Sequence, residues 1–481
     1  MACTLIIFGA SGDLTSRKLI PAMYQLFRKS RLPKGFRVVG VSRTPLTDEA
    51  WRARLRGTTE TFTGKDFHAA IWEAFAPAIH YFAGDVTHPE MFGRLDAHLS
   101  ALENGPADRV FYLSTSPVFY ETIAEGLGPF VQNTDVARRV VVEKPFGTNL
   151  STAQHLNDVL HRFFREEQIF RIDHYLGKET AQNVMVFRFA NAIFEPLWNR
   201  NYIADVQITA NEETLVGHRA SYYNQAGVLR DMFQNHLMQL LCLVAMEPPV
   251  QFDADAIRDE KVKVLRAVRP METEKDILSN TLRGRYDEDS LDPNVATYAA
   301  VRLHIDNWRW AGVPFYLRSG KAMSCRTTQI VLHFHCPPHR IFPTPDPFSP
   351  NRLLIQIQPA EGIQIHFQSK VPETDMRIYQ KSLQYQFDVE GKRLPDAYQR
   401  LLLDALHGDA SLFARSDEVE AAWKIIDPIQ TAWDTMAEPP FPYLRGSWGP
   451  DVSDRWIQLL GGKWFNSCPV LCSQGDDTSA L

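Results

Sequence analysis

The chain has no apolar run approaching the roughly 18 residues a membrane-spanning helix needs, and no excess of positive charge: 51 Lys and Arg stand against 57 Asp and Glu, a formal net charge of −6. The first absence removes a transmembrane helix. The second removes a global field that would gather nucleic acid or an anionic membrane, so neither is expected as a partner, and a phosphorylated ligand must be met by local clusters of Lys and Arg. Cysteine is scarce too, with six among 481 residues. They are scattered, and Cys242 sits inside the apolar run LLCLVAM, so reduced thiols are expected over a disulfide framework. Cys468 and Cys472 have the spacing of a metal or redox pair but no nearby histidine, which argues against a metal site. The sequence opens on Met1 and enters a β-like run at Thr4, leaving no room for a signal or transit peptide, so a cytoplasmic location is expected. With 44% apolar residues, cores for two or three domains of about 150 residues are available.

The N-terminal pattern is strand, glycine turn, helix. Thr4 to Phe8 is apolar, GASGDL follows as Gly9, Ala10, Ser11, Gly12, Asp13 and Leu14, and Leu19, Met23, Leu26 and Phe27 then recur at helical spacing. That is the opening of a Rossmann domain, in which one glycine permits the tight turn and another lets backbone approach a pyrophosphate seated on the helix N-terminus. The match departs from G-x-G-x-x-G. The second strand, Arg37 to Val41, ends in Ser42, Arg43 and Thr44, with no carboxylate to bond a ribose 2′-hydroxyl. Arg43 offers a guanidinium to a 2′-phosphate instead, which predicts NADP over NAD. Downstream, RVVVEKPFG reads as a buried parallel strand delivering Glu143, Lys144 and Pro145 to its C-terminal end, and the Lys144–Pro145 bond is a candidate for cis.

The stretch RIDHYLGKE, Arg171 to Glu179, concentrates chemistry. On a helical turn His174 and Lys178, four apart, would share a face and present two donors to one dianion. Asp173 would point elsewhere and could fix the tautomer of a histidine from another segment, with His236 of QNHL the candidate.

RIDHYLGKE resembles the signature of glucose-6-phosphate dehydrogenases, and similar segments recur from residue 4 to about residue 465. The resemblance implies an α/β Rossmann coenzyme domain, 1–172, followed by an α+β domain with a large antiparallel sheet, 173–481. It implies NADP as cofactor, no metal, glucose 6-phosphate as substrate, and a homodimer or homotetramer. It places GASGDL at the coenzyme, Pro117 and Tyr120 at the nicotinamide side, and Lys144 against both substrate and coenzyme. His174, Tyr175, Lys178, Glu212, Asp231, Lys321, Arg326 and Gln358 then fall to the sugar or its phosphate. His236 is the base that takes the C1 hydroxyl proton, with Asp173 orienting it. The chain departs from animal members, which hold a second, structural NADP: Gln356, Gln364, His366 and Trp448 occupy the matching positions, so it looks like the bacterial type.

From Ala204 onward, period-two runs such as DVQITANE, TQIVLHFH and GIQIHFQ predict the sheet, with Ile363, Ile365 and Phe367 facing a core. Helices around Leu229–Met246 and Ala397–Leu406 would cover it, and Pro337 to Pro350 would be a surface loop. GVLRDMFQNHLMQLLCLVAM carries a core stripe of Leu237, Leu240, Leu241 and Val244 beside His236. On an ideal α-helix Asp231 lies about 140° from His236 and would meet a different part of the ligand. Two other readings remain: a glucose-fructose oxidoreductase-like enzyme acting on a free sugar, which shares EKP, and a non-catalytic NADP-binding regulator.

Overall fold

The computed structural model describes residues 2–132, 135–339, 341–342, 349–374, 376–387 and 394–469. Cys472 and half of the Pro337 to Pro350 loop lie outside that set. The chain divides into two units, each assembled from three stretches: 1–179, 249–259 and 395–420 form the first, and 180–248, 260–394 and 421–481 the second.

The first unit is built on a parallel sheet. Its strands are β1 (Ala2–Phe8), β2 (Arg37–Ser42), β3 (Ile79–Ala83), β4 (Ala107–Leu113), β5 (Arg138–Val142) and β6 (Ile169–Ile172), in the spatial order β6-β5-β4-β1-β2-β3. Leu5, Ile6, Val110, Val141 and Phe170 are at most 1% exposed, as expected for strands covered on both faces by helices. A two-residue strand, Phe413–Ala414, pairs antiparallel with Ile172 and Arg171 and closes the β6 edge. Helix Ala397–His407 also belongs here, not to the second sheet as its position in sequence suggests. Asp396 at its N-cap accepts from Lys18 Nζ at 2.7 Å, Gln399 accepts from Lys29 Nζ at 2.9 Å, and its Leu401 and Leu402 are buried. An amphipathic stripe shows that a helix needs a partner, but not which one.

The second unit holds a nine-stranded sheet. In chain order its strands are β7 (Ile203–Asn211), β8 (Thr281–Tyr286), β9 (Tyr298–His304), β10 (Pro314–Gly320), β11 (Thr327–Phe334), β12 (Arg352–Gln358), β13 (Gly362–Lys370) and β14 (Ile378–Gln386); their spatial order is β14-β13-β12-β11-β7-β10-β9-β8, and Phe441–Tyr443 adds beyond β8. Pairing is antiparallel except between β7 and β10 and between β8 and Phe441–Tyr443. Strands β7, β10 and β11 are buried along most of their length. At the far edge it thins: Ile363 is 9% exposed, Ile365 and Phe367 only half-buried, and Leu383 and Tyr385 of β14 stand 63% and 66% exposed. That apolar face, with Val186, borders a shallow cavity of about 370 Å³.

The expectation of reduced cysteines needs one correction. Cys325 and Cys468 form a disulfide with Cα atoms 5.9 Å apart, while Cys3 keeps a buried thiol. A separation of 143 residues hides such a pair from any local spacing rule.

Candidate active site

In the first unit the chain leaves β1 through Gly9 at φ +87°, where a Cβ would stand 2.1 Å from the Ser114 carbonyl oxygen, so only glycine fits. The Gly9 and Ala10 amides donate to the Val41 carbonyl at 2.9 and 3.1 Å, which ties the turn to the end of β2. Helical backbone begins at Asp13, and its unpaired N-terminal amides make this a place for an anion. Ser11 and Ser42 meet hydroxyl to hydroxyl at 2.8 Å. Arg43 is exposed just beyond β2, and Arg54 donates to the Ser11 carbonyl at 3.2 Å. Arg54 is a loop-side cation that sequence reading missed: it is one polar position in helix Asp48–Thr63, and only the crossing of that helix over the loop singles it out. A glycine cradle with two guanidinium groups beside it, and no carboxylate in Ser42–Thr44, fits a dinucleotide carrying a 2′-phosphate.

At the end of β5, Glu143 accepts from Tyr112 at 2.6 Å and Tyr398 at 3.1 Å, and its carbonyl accepts from Tyr120 at 3.1 Å. Desolvation raises the Glu143 pKa against the pull of both hydroxyls and of Lys144. These contacts brace the strand end that presents half-buried Lys144, whose bond to Pro145 is cis. Tyr120 is 1% exposed and its hydroxyl is committed to that brace, so it supports the Lys144 turn from behind; Pro117 lies at the surface. Tyr398 is a second residue missed in the sequence, 255 positions away from Glu143.

RIDHYLGKE is a strand end and two tight turns, not the helical turn expected; helix begins only at Glu179. The Leu176 amide donates to the Asp173 carbonyl and the Lys178 amide to the Tyr175 carbonyl, both over three residues, so α-helical i, i+4 geometry does not relate His174 to Lys178. Asp173 forces the turn by accepting the Tyr175 amide at 2.9 Å, as Asx side chains do when they compete with helix. Arg171 is 1% exposed and bonds Glu166 at 2.6 Å and Asn157 at 2.9 Å, so it is a structural anchor. At Gly177 a Cβ would meet the Ala397 carbonyl at 2.8 Å, which explains the glycine as the packing point of helix Ala397–His407. His174 and Lys178 are left half-buried, with the Lys178 ammonium 5.7 Å from the Tyr175 ring.

In the second unit the histidine segment is a π-helix, Leu229–Leu237, followed by α-helix Met238–Ala245. The Met238 amide reaches the Phe233 carbonyl, and the Asn235 side chain reaches the Arg230 carbonyl at 3.2 Å, both over five residues. Five residues is close to one turn of such a helix, so Asp231 and His236 are stacked on neighbouring turns rather than splayed by about 140°. His236 is 1% exposed and Asp231 5%. Lys321, one residue past β10, bonds Glu212 and lies 3.4 Å from Asp231. Burial pulls its pKa down, but the Asp231 and Glu212 carboxylates more than offset this and hold it above the ordinary lysine value. The Tyr222 hydroxyl donates to Asp231 at 3.4 Å. Asn211, at the end of β7 beside Glu212, is 1% exposed, and its amide has no hydrogen-bond partner among the described residues. Arg326 is exposed and donates to Gln358 at 3.3 Å, and Gln358 is held by Thr328 at 3.0 Å. The second unit thus gathers Glu212, Asp231 and Lys321 into one cluster, with His236 on the helix that carries Asp231 and the Arg326–Gln358 pair at the neighbouring strand ends.

Comparisons with known proteins find relatives along nearly the whole chain. Residues 6–183 match the family described as glucose-6-phosphate dehydrogenase, NAD binding domain, and residues 185–465 its C-terminal domain. The glucose-6-phosphate 1-dehydrogenase of Aggregatibacter actinomycetemcomitans is 43% identical, over 96% of this chain and 97% of its own. That of Bacillus subtilis is 40% identical over 96% and 98%. A solved glucose-6-phosphate dehydrogenase in complex with its substrate glucose-6-phosphate superposes with a TM-score of 0.88 at 32% identity, covering 96% of this chain and 98% of that one. The chain belongs to the glucose-6-phosphate dehydrogenase family.

Proposed function

We propose that the protein oxidises D-glucose 6-phosphate at C1 to 6-phospho-D-glucono-1,5-lactone with NADP, the entry step of the oxidative pentose phosphate pathway. NADP, when bound, supplies the hydride acceptor. The buried imidazole of His236 takes the C1 hydroxyl proton as the C1–H bond breaks, which an uncharged imidazole does well near neutrality. Lys321, kept cationic between two carboxylates, and Asp231 bind sugar hydroxyls, and Glu212, Arg326 and Gln358 line the same ligand. His174 and Lys178 take the phosphate, with Tyr175 beside them, and Lys144 contacts substrate and coenzyme.

The observation that carries this reading is the half-buried His174–Lys178 turn, held by buried Arg171 and Asp173, in a chain 43% identical along nearly its full length to a glucose-6-phosphate 1-dehydrogenase. A free-sugar dehydrogenase has no need of such cations. NADPH formation measured with glucose 6-phosphate and with glucose tests it: a large preference for the phosphate is expected, removed by Lys178→Ala through KM. Equal turnover of both sugars favours the glucose-fructose oxidoreductase-like alternative, and no turnover of either favours a binding protein.

We further infer that two copies associate through the open face of β13 and β14, as a homodimer or a pair of dimers, and that the enzyme works in the cytoplasm. The exposed Leu383, Tyr385 and Val186 support the first point. No described helix is long and apolar enough to cross a membrane.

A further inference from the structure

The first unit carries a second concentration of cations, at the opposite end of its strands from Gly9–Leu14. All six long strands run parallel, so the coenzyme loop lies at their C-terminal ends, and the segments entering β5 and β6 lie at the other end, about 16 Å away along a five-residue strand. There a cavity of about 690 Å³ is bordered by Arg138, Arg139, Arg162, Arg165, His161 and His407, with Glu167 the acidic side chain among its lining residues. That volume lies within the range of small-molecule sites.

Its floor is an unusual arginine. Arg138 is 8% exposed, and its guanidinium donates to the carbonyls of Ala107 at 2.8 Å and Ala137 at 3.1 Å; its Nε has no hydrogen-bond partner among the described residues. The acids close by are already engaged. Glu103 and Asp96 both accept from Arg109, and Asp108 accepts the Ala137 amide. Arg139 also turns to a carbonyl, that of Leu406 at 3.2 Å. Burial, and then the neighbouring Arg109, push the Arg138 pKa down, so the fold holds this charge at a cost that a bound anion would relieve. Arg162 and Arg165 stand at the rim, with side chains 52% and 74% exposed; Arg162 lies 3.4 Å from Glu121 and Arg165 pairs with Glu167, exposed contacts that a phosphate can displace.

We propose that this cleft binds a phosphate-bearing anion, with Arg138 and Arg139 as fixed charges at its base and Arg162 and Arg165 closing on the ligand from the rim. Guanidinium groups suit phosphate through paired N–H donors, and four of them can meet several phosphate charges at once. The source is either a nucleoside polyphosphate or an inorganic polyphosphate.

Calorimetric titration of the full chain, saturated with NADP so that the coenzyme loop is occupied, tests this with tripolyphosphate and with ATP. Both are expected to bind, at least tenfold more weakly to Arg162→Ala/Arg165→Ala. These rim side chains are exposed, and an unchanged melting temperature without ligand would confirm intact folding. ATP binding more tightly than tripolyphosphate identifies the nucleotide as the source, and equal affinities identify the polyphosphate alone. Failure of both to bind, or binding that the double substitution leaves unchanged, overturns the proposal.

Discussion

Lys321 Nζ lies 3.4 Å from the Asp231 carboxylate, across a separation of 90 residues that brings the end of β10 against the π-helix. The Lys321 and Asp231 side chains are only 10% and 6% exposed. Removing one partner strands the other charge, so Lys321→Met is expected to destabilise the protein by roughly 3 kcal/mol, and Lys321→Met/Asp231→Asn to recover much of that. Chemical denaturation reads both. A single variant as stable as the parent would show that the pair is solvated.

Coenzyme selection is expected to depend on Arg43 and, with it, Arg54. Arg43→Ala should weaken NADP far more than NAD, because only NADP loses a phosphate partner. Arg54→Ala should do the same to a smaller degree, since that side chain is partly engaged by the Ser11 carbonyl. Coenzyme KM values compared for the two nucleotides decide it; equal losses remove both residues from the discrimination.

For His236 the expectation is a separation of binding from chemistry. His236→Asn should bind glucose 6-phosphate and NADP nearly as the parent does while kcat falls by about 10² to 10⁴, the range ascribed to general bases. The acid limb of the kcat/KM profile should disappear with it. An intact limb and near-normal kcat would return His236 to the role of a buried core histidine.

A pH effect on stability is expected from Asp404, on helix Ala397–His407. Burial raises its pKa from 3.8 to about 6, only partly countered by Arg400 at 2.8 Å. The folded carboxyl therefore holds its proton at pH values where the unfolded one has lost it. Its contribution to stability is full below pH 3.8 and is lost as pH rises through 6. Asp404→Asn should then gain on the order of 1–3 kcal/mol above pH 6 and nothing near pH 4. Melting curves that track the parent at every pH would contradict the raised value.

Association is expected to fail when the open sheet face is charged. Leu383→Asp/Tyr385→Asp should sediment as a single chain while the parent sediments as two or four. A parent that is itself a single chain at assay concentration removes the interface.

Much of this was legible in the sequence because it is local. The GASGDL turn, the parallel β5 and the period-two strands of the second sheet are set by neighbours within ten residues, and the sequence reading finds them. What it misses is either long-range or a departure from ideal geometry. Tyr398 meets Glu143, and Cys325 meets Cys468, across separations that no periodicity encodes. The angle between Asp231 and His236 fails for another reason: it assumes 3.6 residues per turn, and the backbone there is wound as a π-helix. His174 and Lys178 show the same limit, because Asp173 captures a backbone amide that a helix would need.

The interleaving of the two units bears on how the protein is made. Stretches 249–259 and 395–420 complete a unit whose first 179 residues emerge from the ribosome long before them. Until Phe413 and Ala414 arrive, the edge of β6 presents unpaired backbone groups, and Gly177 awaits the helix that packs on it. At about 5–20 residues per second that interval lasts on the order of ten seconds or more. The nascent coenzyme-binding half is therefore a natural client for chaperones, and fragments ending near residue 172 would carry that open edge permanently.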